Sequence, residues 1–107
     1  MDLLTNELKK RFQEVGYQDA LGEDAIVVAH FFHGGSDWLA TEYIEEDRVF
    51  FGFGCLNNDV EMAEMGYFSL QEFEEFNEKN LIGIERDIYW DEITLKEAKK
   101  KLKLNRK

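Results

Sequence analysis

The sequence predicts an α+β protein: an antiparallel β-meander of about four strands with an N-terminal helix, a helix after the sheet and a basic C-terminal helix. Two observations support this class. Residues 25–55 contain three runs rich in β-branched and aromatic residues, separated by two short turn-like clusters, and such runs are typical of strands. Elsewhere, apolar residues recur at helical spacing behind residues that favour helix caps. Because the loops are short, neighbouring strands are expected to be antiparallel.

The first segment predicts an amphipathic helix. Thr5 is a plausible cap for its first turn, and Gly16 suits its C-terminal stop, where a residue without a Cβ is favoured. The apolar stripe consists of Leu4, Leu8, Phe12 and Val15. Residues 18–24 then form a polar connection into the sheet.

The central stretch predicts three strands and two turns. The strands are residues 25–33, 38–44 and 48–55, and the turns are residues 34–37 and 45–47. Both faces of the first strand are mostly apolar, which predicts a central strand covered on both sides. Alternation along the second strand places Ala40 and Glu42 on one face. In the third strand, Gly52 and Gly54 indicate a bulge or a close approach to the backbone.

A fourth strand is expected within residues 61–68, centred on Gly66, Tyr67 and Phe68. Ser69 and Glu72 then fit a capping box, which begins the helix after the sheet. The residues that this helix buries are Leu70, Phe73 and Phe76, and those that it exposes are Glu72, Glu74, Glu75 and Glu78.

The last part of the chain predicts an extended segment followed by a basic helix. Residues 84–90 look extended and end in an aromatic pair. Thr94 and Glu97 fit a second capping box. The helix that follows has a thin apolar stripe of Leu95, Ala98 and Leu102.

Length and composition bound the class of protein. A chain of 107 residues predicts one domain, residues 1–107. Its single cysteine, Cys55, rules out an internal disulfide and fits a reducing compartment. The longest apolar run has five residues (25–29), far short of the ~20 that a spanning helix needs. The N-terminal residues lack the basic-then-apolar order of a secretion signal. We therefore expect a soluble cytoplasmic protein with no membrane partner.

The charge of the chain is unevenly distributed. Residues 1–95 hold 22 acids and 6 bases, a balance of −16, and residues 96–107 hold 7 bases and one acid, a balance of +6. We therefore divide the domain into an acidic body, 1–95, and a basic C-terminal helix or tail, 96–107. The body would repel nucleic acid and anionic membranes and would attract basic protein surfaces. The tail could do the opposite, or could fold back onto the body.

The sequence does not indicate a metal site, a reactive cysteine or a phosphate-binding loop. His30 and His33 lie three apart on a predicted strand and point to opposite faces, so no metal site is expected from them. Cys55 has no histidine or basic neighbour in sequence, which favours a buried structural thiol. No phosphate-binding glycine motif is present. The sequence predicts neither a metal site nor a cofactor.

One charged cluster leaves two interpretations open. Arg86 lies between Glu85 and Asp87 in an otherwise apolar stretch, and Glu42 lies on a predicted central strand. A buried carboxylate needs a partner, so Arg86 would neutralise Glu42 inside the fold. The alternative is a small polar pocket that could support acid–base catalysis. Its residues would be Glu42, Glu85, Arg86, Asp87 and Tyr67.

An ordered set of residues resembles a small bacterial family catalogued as domain of unknown function 2958. The match covers residues 3–97 and leaves the lysine-rich tail outside. The set is Leu3-Leu4-Thr5, Glu7-Leu8, Val27-Val28-Ala29, Phe31-Phe32, Trp38, Ala40-Thr41-Glu42, Phe50-Phe51-Gly52, Glu64, Gly66-Tyr67-Phe68-Ser69-Leu70, Ile84-Glu85-Arg86-Asp87 and Trp90. The resemblance implies a setting on plasmids, phages and integrative elements, often beside DNA-transfer and anti-restriction genes. It implies no activity for any residue.

These observations lead to three functional hypotheses. The first is a non-enzymatic acidic interaction protein of a mobile genetic element, an inhibitor or nucleic-acid mimic that binds a basic, nucleic-acid-binding host or defence protein. Its binding residues would be Glu42, Tyr67, Glu72, Glu75 and Arg86. The second is a small enzyme or ligand-binding protein with a pocket around Glu42 and Arg86. The third is an oligomerising structural module.

Overall fold

The computed structural model describes residues 1–106, and its architecture confirms the α+β class. The elements in chain order are α1 (Asn6–Val15), a 3₁₀ segment (Asp19–Asp24), β1 (Ile26–Val27), β2 (Ala29–His33), β3 (Ser36–Ile44), β4 (Val49–Cys55), β5 (Glu64–Ser69), α2 (Leu70–Lys79), β6 (Glu85–Arg86), β7 (Ile93–Thr94) and α3 (Leu95–Lys101). All three predicted helices are present. The basic helix ends at Lys101, earlier than the predicted segment.

The main sheet has five antiparallel strands in the order β5-β4-β3-β2-β6. The predicted meander is its β2-β3-β4-β5 part. The fifth strand arises because β6 pairs with the free edge of β2. The first predicted strand is interrupted at Val28, because β1 leaves the main sheet and pairs with β7, with Ile26 opposite Thr94.

The helix ends follow the predicted capping chemistry. The Thr5 hydroxyl accepts a hydrogen bond from the Leu8 N–H at 3.2 Å, and Gly16 adopts a positive φ of 62° at the end of α1. At Thr94 the capping box is complete, with hydrogen bonds in both directions between Thr94 and Glu97. At Ser69 the structure contains the hydroxyl half of the box, a 3.1 Å bond from the Glu72 N–H.

One face of the sheet, here the α1–α2 face, packs against the first two helices. Its centre consists of two aromatic residues with no solvent exposure, Phe31 and Phe50. Their ring centroids lie 5.0 Å apart. Phe12 of α1 and Phe73 of α2 close this cluster from above. Burial of these large rings is the main stabilisation of this side of the fold.

The opposite face, here the α3 face, packs against the C-terminal helix. Leu95 and Ala98 are buried as predicted, and Leu104, beyond the helix, is buried as well. They contact a second apolar cluster that includes Val27, Leu39, Phe53 and Cys55. The Lys99 ammonium lies 2.8 Å from the Glu23 carboxylate. The basic segment therefore folds back onto the acidic body, which is one of the two alternatives that its charge left open.

A β-bulge at Thr41 reverses the faces to which the side chains in the second half of β3 point. Ala40 lies opposite Gly52, but Glu42, two residues later, lies opposite Phe51, the immediate neighbour of Gly52. Thr41 is thus the extra residue, and Glu42 points to the face opposite Ala40. The prediction that Ala40 and Glu42 share a face is therefore wrong. The glycines of β4 had indicated a bulge or a close approach to the backbone: the extra residue lies on β3 instead, and the close approach is that of the Leu39 carbonyl to Gly52.

Candidate functional site

Glu42 is a buried anchor for the chain that follows α1. Its side chain is 8% exposed, and its Oε2 accepts a hydrogen bond from the Gln18 backbone N–H at 2.9 Å. The Gln18 side chain bonds the backbone of Ile26 in both directions and donates to the Thr41 carbonyl at 2.7 Å. The two residues hold the polar connection against β1 and β3.

Arg86 is on the other side of the sheet. It lies opposite Phe31 on β6 and therefore shares the α1–α2 face, whereas Glu42 shares the α3 face with Phe51. Its Nε donates to the Asp2 carbonyl at 3.2 Å. The predicted neutralisation of Glu42 by Arg86 is wrong, because the Thr41 bulge reverses the direction of Glu42.

The five residues of the predicted polar pocket do not meet. Tyr67 lies on β5 at one edge of the main sheet, and Glu85 and Arg86 lie on β6 at the other edge. Four strand spacings separate these edges, about 19 Å. In the described part of the chain, therefore, no acid–base pocket forms around Glu42 and Arg86. A binding role for any one of these residues stays a prediction.

A buried histidine between two aspartates was missed by the sequence reasoning. The Nε2 of His30 lies 2.7 Å from Oδ1 of Asp37, and its Nδ1 lies 3.2 Å from Oδ2 of Asp87. Each ring nitrogen therefore has a carboxylate oxygen within hydrogen-bond distance. One signal was available: a two-residue hairpin turn places Asp37 opposite Phe32, diagonal to His30. Asp87, 57 positions away in the chain, had no local signal.

This histidine cluster is enclosed rather than open to a substrate. The His30 side chain is 7% exposed, and the Trp90 ring packs 5.2 Å from it. The Trp90 indole N–H donates to the Val27 carbonyl, which fixes the ring in place. His33 points to the other face, where it contacts Phe76. Within residues 1–106, no three His, Cys, Asp or Glu side chains are placed to share a metal ion.

Cys55 is buried on the α3 face and has no exposed surface. Burial raises the pKa of its thiol, and the negative charges of Asp37 and Asp59 raise it further. The thiol therefore stays protonated at neutral pH, which favours the structural role that its sequence context predicted.

An open groove of about 520 Å³ lies on the α1–α2 face, beside α2. Trp38 and Phe68 form its aromatic walls, and Gly54 and Gly66 lie between them. Asp59 and Glu64 complete the rim. Tyr67, a predicted binding residue, also lines the groove and is 72% exposed, but its ring packs 5.0 Å from Phe51 on the other face of the sheet.

Helix α2 borders this groove, because its Phe73 packs against both aromatic walls. The Phe73 ring lies 4.9 Å from Trp38 and 5.8 Å from Phe68. The outer side of α2 presents four exposed carboxylates. Together with the two acids of the groove rim they form the acidic surface, defined here as Asp59, Glu64, Glu72, Glu74, Glu75 and Glu78.

The acidic surface keeps most of its negative charge. Arg48 pairs with Glu74 at 2.9 Å, and this is the single ion pair of the surface in the described part of the chain. The Glu75 carboxylate accepts a hydrogen bond from the neutral Gln71 amide at 3.1 Å. The predicted binding residues Glu72 and Glu75 both belong to this surface, whereas Glu42 and Arg86 do not.

A second cleft, of about 620 Å³, lies on the α3 face between the 3₁₀ segment and α3. Its walls include Phe51, Phe53 and Leu95. The Lys99 ammonium lies 4.7 Å from the Phe53 ring centroid and pairs with Glu23, so this cation is already neutralised. None of the helices in residues 1–106 is both long and apolar enough to cross a membrane.

Comparison with known proteins identifies the family. The family described as "Protein of unknown function (DUF2958)" matches residues 3–98, which is most of the chain. No curated protein and no solved structure gave a match. The matched range includes both sheets, the first two helices and the start of α3. The chain therefore belongs to the DUF2958 family.

Proposed function

We propose that this protein is a non-enzymatic interaction protein that binds a basic protein partner through its acidic surface. The observation that supports the proposal most directly is the outer side of α2 and the adjoining groove rim, where six carboxylates are balanced by one ion pair. Unpaired surface charge of one sign attracts oppositely charged partners and accelerates their association.

The buried polar groups support a binding role over a catalytic one. Glu42 is hydrogen-bonded by Gln18, and both nitrogens of His30 face aspartates. Of the buried side-chain polar atoms in residues 1–106, the Tyr43 hydroxyl alone lacks a hydrogen bond of standard geometry, although Glu45 and Arg48 lie close enough to interact with it. It lies in an aromatic cluster with Phe12 and Phe50. The groups with acid–base chemistry are thus engaged in the fold.

The setting suggested by the family resemblance narrows the class of partner. Plasmids and phages benefit from proteins that block host or defence factors, and such factors present basic surfaces to nucleic acid. An acidic surface on a folded domain imitates the charge of a phosphate backbone. The partner would be a cytoplasmic nucleic-acid-binding protein, and the protein would act as its inhibitor or as a nucleic-acid mimic. The acidic body itself would not bind nucleic acid.

The test is affinity capture from a nuclease-treated bacterial lysate with three forms of the protein. The wild type is compared with Glu72→Gln/Glu75→Gln on the acidic surface and with Asp19→Asn/Asp24→Asn as a matched control. Asp19 and Asp24 are exposed and lie in the 3₁₀ segment beside α3. Both double variants change the charge equally, so they differ only in its position.

We expect the wild type and the control to retain the same basic nucleic-acid-binding proteins, and the α2 variant to lose them. Added salt would release them, because surface charge attraction is screened. Capture of no nucleic-acid-binding protein, or equal capture by all three forms, would contradict the proposal.

A further inference from the structure

The groove beside α2 has a shape that the fold itself does not require. Gly52 has a structural reason, because a Cβ there would overlap the Leu39 carbonyl oxygen at the bulge. At Gly66 a Cβ would meet no atom within 4 Å, and at Gly54 it would make an ordinary 3.6 Å contact with Trp38. The backbone tolerates side chains at Gly54 and Gly66, so the open space between the aromatic walls is a property of the surface.

The chemistry of the groove suits a flat cation. Trp38 and Phe68 line the groove, and cations stack on the faces of aromatic rings within about 6 Å of the ring centroid. Among residues 1–106, the lining contains Asp59 and Glu64 and no lysine or arginine. A guanidinium that stacks on the indole could donate hydrogen bonds to these carboxylates at the same time.

We infer that the groove binds an arginine side chain of a basic partner segment. This inference rests on the proposed function and specifies it: α2 supplies long-range attraction, and the groove supplies the specific contact. The planar guanidinium lies on Trp38 above Gly54 and reaches Asp59 or Glu64 at the rim. The glycines make this possible, since a larger residue at Gly66 would occupy the space of the cation.

The test is titration of the protein with a capped hexa-arginine peptide, followed by calorimetry and by NMR. Gly66→Leu fills the groove without changing the charge, and Gln13→Leu adds the same side chain on exposed α1 as a matched control. Gly54→Ala is a second, smaller change at the groove. Thermal unfolding shows that each variant is folded, and light scattering reports self-association.

We expect Gly66→Leu to weaken binding roughly five-fold or more and Gln13→Leu to leave it unchanged. In the wild type, the peptide should shift the NMR signals of Gly54, Gly66 and the Trp38 indole N–H. Equal affinity of the wild type and Gly66→Leu, with shifts confined to α2, would contradict arginine binding in the groove. The proposed docking of a basic partner on the acidic surface would still stand.

Two further outcomes would also overturn the inference. Absence of peptide binding at low ionic strength would exclude the groove as a cation site, while the lysate capture would still decide the proposed function separately. Shifts of Gly54 and Gly66 that depend on protein concentration without peptide would show that a second copy of the chain occupies the groove.

Discussion

The His30 cluster and the acidic surface, on opposite faces of the sheet, treat their charged groups in opposite ways. On the α3 face, His30 lies between Asp37 and Asp87 beneath Trp90, and each of its ring nitrogens has a partner. On the α1–α2 face, the carboxylates beside α2 are exposed, and the Trp38 groove is open. A group whose partners lie within the fold stabilises it. Groups that the fold leaves available are the ones that can bind another molecule.

Because both ring nitrogens of His30 have partners inside the fold, its substitution should lower the unfolding free energy more than the other substitutions proposed below. His30→Ala would leave two partly buried aspartates without their shared hydrogen-bond partner, and we expect a loss of about 3 kcal/mol of unfolding free energy. His33→Ala is the matched control, because His33 makes one hydrogen bond, to the Gly83 carbonyl, and should lose about 1 kcal/mol. Urea unfolding measures both. Equal losses would contradict the structural role of the His30 cluster.

Gly52 on β4 and Gly66 on β5 differ in whether the fold requires a glycine: a Cβ would overlap the backbone at Gly52 and would have room at Gly66. Gly52→Ala would force the Leu39 carbonyl away at the bulge, and we expect a loss of about 2 kcal/mol. Gly66→Ala should be neutral or slightly stabilising, because Gly66 has room for a Cβ and alanine lowers the backbone entropy of the unfolded chain. Thermal unfolding of the two variants decides the point. A large loss from Gly66→Ala would show that this glycine is structural and would weaken the case for the groove.

The caps of α3 and α2 allow a smaller comparison of the same two faces. Thr94→Ala removes a complete capping box at α3 and should cost about 1 kcal/mol. Ser69→Ala removes one cap bond at α2 and should cost about half as much. Chemical unfolding measures the pair, and a larger effect at Ser69 would contradict the assignment of the stronger cap to α3.

Cys55 gives a test that involves no loss of stability. Burial raises the pKa of its thiol, so the reactive thiolate is scarce at pH values below that raised pKa and becomes more abundant only as the pH rises through it. We expect negligible alkylation by iodoacetamide in the native protein at pH 8 and rapid alkylation after unfolding in urea. Mass spectrometry detects the adduct. Rapid alkylation of the folded protein would show that Cys55 is accessible and would contradict its structural role.

The parts of the fold that were predictable depend on local patterns. Residue alternation identified strands β2 to β5, and the hydroxyls of Thr5 and Thr94 marked true helix starts. The side-chain direction of Glu42 was not predictable from alternation, because one extra residue at Thr41 reverses it. A bulge changes no local propensity and is specified by packing across the sheet.

The candidate site was predictable only in part, for a similar reason. The exposed acids of α2, Glu72 and Glu75 among them, follow from helical periodicity. The contact of His30 with Asp87 and the groove between Trp38 and Phe68 depend on which strands lie side by side. Contacts between residues that are far apart in the chain cannot be recognised from a short stretch of sequence.

The salt dependence of basic-peptide binding by three charge forms of the protein shows most directly whether α2 carries a specific acidic surface. Calorimetry would compare hexa-arginine binding to the wild type, Glu72→Gln/Glu75→Gln and Asp19→Asn/Asp24→Asn at low and high ionic strength. We expect the α2 variant to lose affinity and salt dependence, while the control resembles the wild type. Equal weakening of both variants would mean that net charge alone attracts the peptide, and would contradict a specific acidic surface at α2.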